Sequence, residues 1–282
     1  MNIDTIGIVG SGLMGSGIAQ VCAAAGLEVV LNDIDEAAIQ RGLSTISESL
    51  TRMVTKEKIT AETAARIRAR IRGGTEFGDL GQADFLIEAA TERLETKQKI
   101  IQALDAVAKP GSIIATNTSS VSITKLAACL ASPERLVGMH FFNPVPVMAL
   151  VEVIRGIQTS DATFEATRAL AARIGKTAIG ARNAPGFVVN RILVPMINEA
   201  VFVLQEGLAS AEEIDAGMKL GANHPLGPLA LADLIGLDTL LSVMEVFYRD
   251  FNDSKYRPAP LLREMVDAGR YGRKSGRGFY QY

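Results

Sequence analysis

His140 and Glu152 are the residues whose types and spacing point most directly to chemistry. His140 is one of two histidines in 282 residues. It sits in a β-branched, aromatic run, Val137 to Phe142, that reads as a buried strand. Phe142-Asn143-Pro144 breaks that run, Pro146 keeps the next residues extended, and a second apolar run, Leu150 to Ile154, carries Glu152. If the two runs pair or neighbour each other, the carboxylate reaches the imidazole in an apolar setting. There it would fix the ring tautomer and stabilise the imidazolium, which a general base requires. Read without chemistry, the same residues are a core histidine with one hydrogen bond and an unrelated surface glutamate. The remainder of the chain decides between the two.

A second group is Gly10-Ser11-Gly12-Leu13-Met14-Gly15, which follows a short apolar strand (Thr5 to Val9) and precedes an alanine-rich helix (Ser16 to Ala25). A second strand, Val29 to Leu31, closes on Asn32-Asp33. The glycine pattern alone is weak, but strand, helix, second strand and terminal acid supply the context of a dinucleotide site. Gly10 permits the tight turn, Gly12 lets backbone approach a pyrophosphate, and Gly15 lets the helix pack on the strand. The helix N-terminus offers N–H groups and a positive dipole end to phosphates. Asp33, 18 residues after Gly15, is placed to accept hydrogen bonds from ribose hydroxyls. No arginine follows in Ile34-Asp35-Glu36, and these acids would repel a 2′-phosphate, so NAD is favoured over NADP.

Other polar groups lie at places where ligands bind. Glu92 ends the loop after a strand, Asp84 to Glu88, and Lys97 follows on the next helix, Arg93 to Val107. Glu92 could serve only the helix dipole; a strand's carboxyl end in an open α/β sheet is also where ligands sit. Thr116-Asn117-Thr118-Ser119-Ser120 closes the strand Ser112 to Ala115. It either caps the helix Val121 to Leu130 or binds something in the crevice. Near Ser49, the residues Arg52, Lys56 and Lys58 form a cationic cluster that, on charge alone, is a solvated helix face.

The elements that must position these groups fall into two parts. Up to the strand near Thr177 to Ile179, helices and strands alternate, with a polar helical stretch from Glu36 to about Arg72 inserted. This predicts an α/β fold, Rossmann-type and doubly wound, with a mainly parallel sheet and a helical insertion, over residues 1–184. Arg182-Asn183-Ala184-Pro185-Gly186 reads as a linker. The remainder, 185–282, is almost wholly helical: Phe187 to Gln205, Ala211 to Leu220, Leu229 to Tyr248 and about Leu261 to Ala268. Asn190 is a polar amide near the start of its first helix, expected to face an interdomain cleft. The apolar content of these helices exceeds what so small a unit buries alone, which points to self-association as a homodimer.

Composition narrows the class. A net charge of -2 gives no general attraction for nucleic acid or membranes. No apolar run approaches the roughly 20 residues of a membrane span, and no leader segment is apparent. Cys22 and Cys129 sit in apolar helical patterns and read as reduced core residues, which suits a cytoplasmic setting. No metal site is expected.

The ordered motifs resemble the short-chain L-3-hydroxyacyl-CoA dehydrogenases, particularly bacterial 3-hydroxybutyryl-CoA dehydrogenases. They run end to end: Gly10 to Gly15 with Asp33, Ala89-Ala90-Thr91-Glu92, Asn117-Thr118-Ser119-Ser120, His140-Phe141-Phe142-Asn143-Pro144, Gly186-Phe187-Val188-Val189-Asn190-Arg191, His224-Pro225-Leu226-Gly227-Pro228, and Arg273-Lys274-Ser275-Gly276-Arg277-Gly278-Phe279-Tyr280. The resemblance implies a catalytic base at His140 with Glu152 as its partner. It implies that Ser119 and Asn190 hold the substrate's C3 oxygen and thioester portion. The NAD-contacting positions it implies are Gly10, Gly12, Leu13, Met14, Gly15, Asp33, Ala90, Glu92, Lys97, Asn117, Ser119, Asn143 and Lys274. Ser49, Arg52, Lys56 and Ser119 match the coenzyme A side, which gives the cationic cluster a phosphate-bearing ligand. His224 resembles a structural motif.

The reaction so implied is reversible oxidation of (S)-3-hydroxybutyryl-CoA to acetoacetyl-CoA; the short, unfused chain leans towards four carbons over longer acyl groups. Related β-hydroxyacid dehydrogenases of the 3-hydroxyisobutyrate or 6-phosphogluconate kind resemble a scheme with a catalytic lysine on the first helix of the second domain. No lysine lies between Gly186 and Glu199 here. A non-catalytic relative, such as a lens crystallin, would not need every reacting group to be present.

Overall fold

The first unit is built around one eight-stranded sheet: β1 (Thr5–Val9), β2 (Glu28–Asn32), β3 (Ile71–Gly74), β4 (Phe85–Glu88), β5 (Ile113–Thr116), β6 (Leu136–Phe141), β7 (Leu150–Arg155) and β8 (Thr177–Arg182). The computed structural model describes residues 2–282, and the chain divides into two units, Met1–Ala184 and Pro185–Tyr282. Strand order is β3-β2-β1-β4-β5-β6-β7-β8, parallel throughout except where β6 meets β7. The central strands are buried on both faces, which is why they read as continuous apolar runs without alternation. The chain winds one way from β1 to β2 and β3, then returns to the other side of β1 as β4. The carboxyl ends of β1 and β4 therefore flank the switch point where such sheets bind ligands.

Helices α1 (Leu13–Ala24), α2 (Glu36–Thr55), α3 (Ala61–Ala69), α4 (Leu94–Val107), α5 (Ile123–Ala127) and α6 (Asp161–Arg173) complete this unit. The insertion between β2 and β3 is the α2–α3 hairpin. Asp35 starts α2 by accepting the Ala38 N–H at 2.7 Å. Ile39, Leu43, Ile46 and Leu50 recur at helical spacing, are buried, and join the core that Ile18, Ala19 and Cys22 of α1 enter.

The second unit has α7 (Val189–Gln205), α8 (Ala211–Gly221), α9 (Pro228–Ile235), α10 (Leu237–Phe251) and α11 (Pro260–Asp267) around a core that includes Ile197, Val201, Leu240, Met244 and Phe247. Buried aspartates tie it together. Asp215 accepts the Leu229 and Ala230 N–H groups at the start of α9 and the Tyr280 hydroxyl. Asp233 accepts the N–H groups of Phe279 and Tyr280. Two of the terminal motifs thereby acquire structural work.

The structure departs from the sequence reading in four places. Ile71–Gly74 is an edge strand, whereas the helical pattern suggested helix to about Arg72. The helix expected over Leu229 to Tyr248 is two, because Gly236 takes φ 102°, a conformation closed to other residues. The helix expected from Val121 to Leu130 is the single short α5, which Ser122 caps through the Lys125 N–H. Cys22 is buried as expected, but Cys129 is only half-buried.

Candidate active site

The glycine loop is shaped by two close approaches. Gly10 has φ 100°, and a Cβ there would lie 2.7 Å from the Ala90 backbone; one at Gly15 would collide with the Gly10 carbonyl. Gly12 is different: nothing stands within 4 Å of its missing Cβ, and no side chain caps α1 at this N-terminus. Leu13 is exposed and Met14 half-buried. An open glycine beside uncapped helical N–H groups is a cradle that fits a pyrophosphate.

Asp33 is fastened to this loop. One of its oxygens accepts the Ser11 N–H and hydroxyl, each at 2.7 Å, and the other accepts the Ile34 N–H at 2.8 Å. Partial burial would raise its pKa, but these hydrogen bonds, with Arg41 nearby, outweigh it and hold the carboxyl below the ordinary range. Asp33 is thus an ionised acceptor at neutral pH. Linkage fixes the sign: a depressed folded pKa adds stability above the unfolded value, and that stability fades as pH falls through the folded value.

At the ends of β4 and β5 two carboxylates brace neighbouring loops. Glu88, fully buried, accepts the Ala90 N–H at 2.9 Å, the Thr116 hydroxyl at 2.7 Å and the Lys97 ammonium at 2.6 Å. Above it, Glu92 accepts the Thr118 hydroxyl at 2.6 Å and the Ser119 N–H at 2.8 Å. Asn117 reaches the other way, its side-chain oxygen taking the Phe141 N–H at 2.9 Å, so the end of β5 is tied to the end of β6 beside His140. Sequence patterning does not single out Glu88. The available signal was an acid closing the apolar run Phe85-Leu86-Ile87, nine residues before a lysine. Lys97, matched by resemblance to cofactor contact, has its side chain within this ion pair, 2% exposed.

His140 and Glu152 face each other in register across the antiparallel β6–β7 pair. Directly opposed residues share a sheet face with their Cβ atoms within about 4.5–5.5 Å, which is how two side chains twelve residues apart in sequence come together. His140 Nδ1 lies 2.7 Å from Glu152 Oε2. Glu152 is fully buried and His140 nearly so, and the Phe142 ring tilts over the imidazole at 4.7 Å between centroids. Just beyond, Asn143 is exposed. It lines a small cavity of about 80 Å³ together with Leu13, Gln20, Ser49 and Arg52. Lys56, one turn past Arg52 at the end of α2, is exposed and outside that lining.

Asn190 and Lys274 belong to the second unit. Asn190 is half-buried in the first turn of α7, after a turn in which Gly186 and Phe187 both have positive φ. The Lys274 ammonium lies 2.6 Å from Asp238. His224 is half-buried in the α8–α9 connection. Among the described residues, no group of three or more potential metal ligands forms and no helix is long and apolar enough to cross a membrane.

Comparison with known proteins gives concordant results over the whole length. Residues 5–184 match the NAD-binding domain of 3-hydroxyacyl-CoA dehydrogenase, and residues 186–282 match the C-terminal domain of the same family. A 3-hydroxybutyryl-CoA dehydrogenase of Bradyrhizobium diazoefficiens is 52% identical over 280 residues, covering 99% of this chain and 96% of the relative. One of Clostridioides difficile is 49% identical over 277 residues, covering 98% and 99%. Among solved structures, (S)-3-hydroxybutyryl-CoA dehydrogenase from Ralstonia eutropha superposes with a TM-score of 0.97 at 61% identity, covering 100% of this chain and 99% of the other.

Proposed function

Since this chain belongs to the 3-hydroxyacyl-CoA dehydrogenase family, we propose that it interconverts (S)-3-hydroxybutyryl-CoA and acetoacetyl-CoA with His140 as general base. It is an NAD-dependent oxidoreductase. The observation that carries the assignment of the base is the 2.7 Å contact between its imidazole and a fully buried carboxylate.

Bound nicotinamide would supply the hydride acceptor for oxidation in its NAD+ form and the hydride donor for reduction as NADH. The chain's residues do the rest. Nδ1 of His140 is committed to Glu152, so Nε2 takes the hydroxyl proton during oxidation and gives it back during reduction. Glu152 holds the ring tautomer and offsets the charge that develops on it. Ser119 and Asn190 are assigned to the substrate's C3 oxygen and thioester. Ser49 and Arg52, which share a cavity wall with Asn143, are assigned with Lys56 to the coenzyme A portion. Gly10, Gly12, Leu13, Met14, Gly15 and Asp33 cradle the dinucleotide, with Ala90, Glu92, Asn117, Asn143 and Lys274 as further contacts. Lys97 acts on the cofactor loop through Glu88, whose carboxylate holds the Ala90 N–H.

The second unit is assigned to self-association, since Ile192, Leu208 and Leu234 are large, apolar and exposed there. The proposed setting is the cytoplasm, where both free cysteines stay reduced.

The direct test is loss of NADH absorbance when acetoacetyl-CoA is added to the purified protein, repeated with longer 3-ketoacyl-CoA substrates. The expected kcat/KM is highest for four carbons; no turnover of any member of the series would refute the reading. Asp33→Ala should raise the KM for NADH by roughly 10- to 100-fold, the worth of hydrogen bonds to a charged group. It should also narrow the preference over NADPH, and an unchanged cofactor ratio would remove Asp33 from the ribose site.

A further inference from the structure

We propose that Lys176 is a positioning residue, its buried ammonium clamping the loop that joins the His140 strand to the Glu152 strand. The inference rests on the dyad described above. Lys176 stands between α6 and β8 with 9% of its surface exposed. Its Nζ donates to the backbone carbonyls of Val145 at 2.6 Å and Met148 at 2.7 Å. Both carbonyls belong to the β6–β7 connection, and no carboxylate takes part. Removing an ammonium from water without a counter-ion is costly, and burial holds this amine below the ordinary lysine pKa range. A lysine serving only as surface charge would not carry that cost.

The loop needs the clamp because its side chains supply little anchoring. Asn143, Pro144, Val147 and Met148 are exposed, and Val145 is the one deeply buried side chain, packed over Gly17 of α1. The Pro144 carbonyl closes a turn by accepting the Val147 and Met148 N–H groups at 2.9 and 3.0 Å. Lys176 fastens that turn from beneath, and the next residue adds a Thr177 N–H bond to the Ala149 carbonyl at 2.7 Å. At one end of the loop, Phe142 covers the imidazole and Asn143 enters the cavity with Ser49 and Arg52. At the other end β7 begins, two residues before Glu152. Slack at Val145 and Met148 is therefore transmitted to Asn143 and to the seating of the dyad. NADH is held chiefly by the glycine loop, and Asn143 is the contact that the β6–β7 loop and the cofactor share.

The test uses the full chain with Lys176→Met and Lys176→Gln, assayed for reduction of acetoacetyl-CoA, NADH affinity by fluorescence titration, and hydrogen exchange over residues 142–149. Small misplacements of reacting groups cost up to about 100-fold. The expected result is a loss on the order of tenfold or more in kcat/KM, borne by kcat and by the acyl-CoA KM. NADH affinity should fall far less than turnover, through the shared Asn143 alone, while exchange in 142–149 quickens. Wild-type kinetics in either variant, unchanged exchange, or NADH affinity falling in step with turnover would each overturn the clamp. So would failure of both variants to fold, which would assign Lys176 to folding alone. Inactivity of the wild-type protein towards acetoacetyl-CoA would instead sink the substrate reading, and the exchange measurement would still decide the clamp.

Discussion

Replacing His140 with alanine should lower kcat by at least about 10²–10⁴-fold, the usual contribution of a positioned general base. NADH binding should survive, because Asp33 and the glycine loop are held by bonds to Ser11 and Ile34 that do not involve the ring. Alanine also removes one hydrogen bond from buried Glu152, so part of the loss comes from local rearrangement. His140→Gln separates the two effects: its amide can still donate to Glu152 but cannot take a proton. The glutamine variant should fold like wild type and remain as slow as alanine. Turnover within about tenfold of wild type in both variants would leave no room for a general base at this position.

The second large effect is on stability. Glu88→Ala would leave the Lys97 ammonium buried with no counter-charge and strip an acceptor from Ala90 and Thr116. Breaking a buried ion pair by removing one partner costs about 3–5 kcal/mol. For a unit of this size that is a fall in Tm on the order of 10 °C. Lys97→Met added to Glu88→Leu removes both charges and should recover most of the loss, because the pair itself repays little beyond its own desolvation. Thermal unfolding of the single and double variants decides the matter. A single variant melting with wild type would mean that water or another group satisfies Lys97. The recovered double variant should still bind NADH more weakly than wild type, since its Ala90 loop has lost its carboxylate anchor.

The parts of the molecule legible from sequence are those where local pattern and global fold agree. The run from Thr5 to Asp33 announces strand, glycine turn, helix and strand because Gly10 and Gly15 answer steric demands close at hand. His140 and Glu152 were legible for another reason. Two buried strands joined through a Pro-rich connection have few ways to pair, and antiparallel register placed the two residues opposite each other. What escaped were features set by distant neighbours. Ile71–Gly74 is short and glycine-ending, and becomes a strand only because β2 offers its edge. Gly236 splits a continuous helical pattern through a backbone angle that periodicity does not register. Glu88 read only as the end of a strand, and Lys97 as a position facing the cofactor, because the burial that pairs them comes from neighbours distant in sequence.

The central claim is that imidazole and carboxylate operate as one proton-handling unit. A double-mutant cycle over His140→Gln and Glu152→Gln, read as kcat for acetoacetyl-CoA reduction, tests it most directly, because groups acting together give strongly non-additive losses. The double variant should be no slower than His140→Gln alone, since without the imidazole the carboxylate has no proton-handling group to orient. Losses that multiply, leaving the double variant slower than either single by the other's full factor, would contradict it.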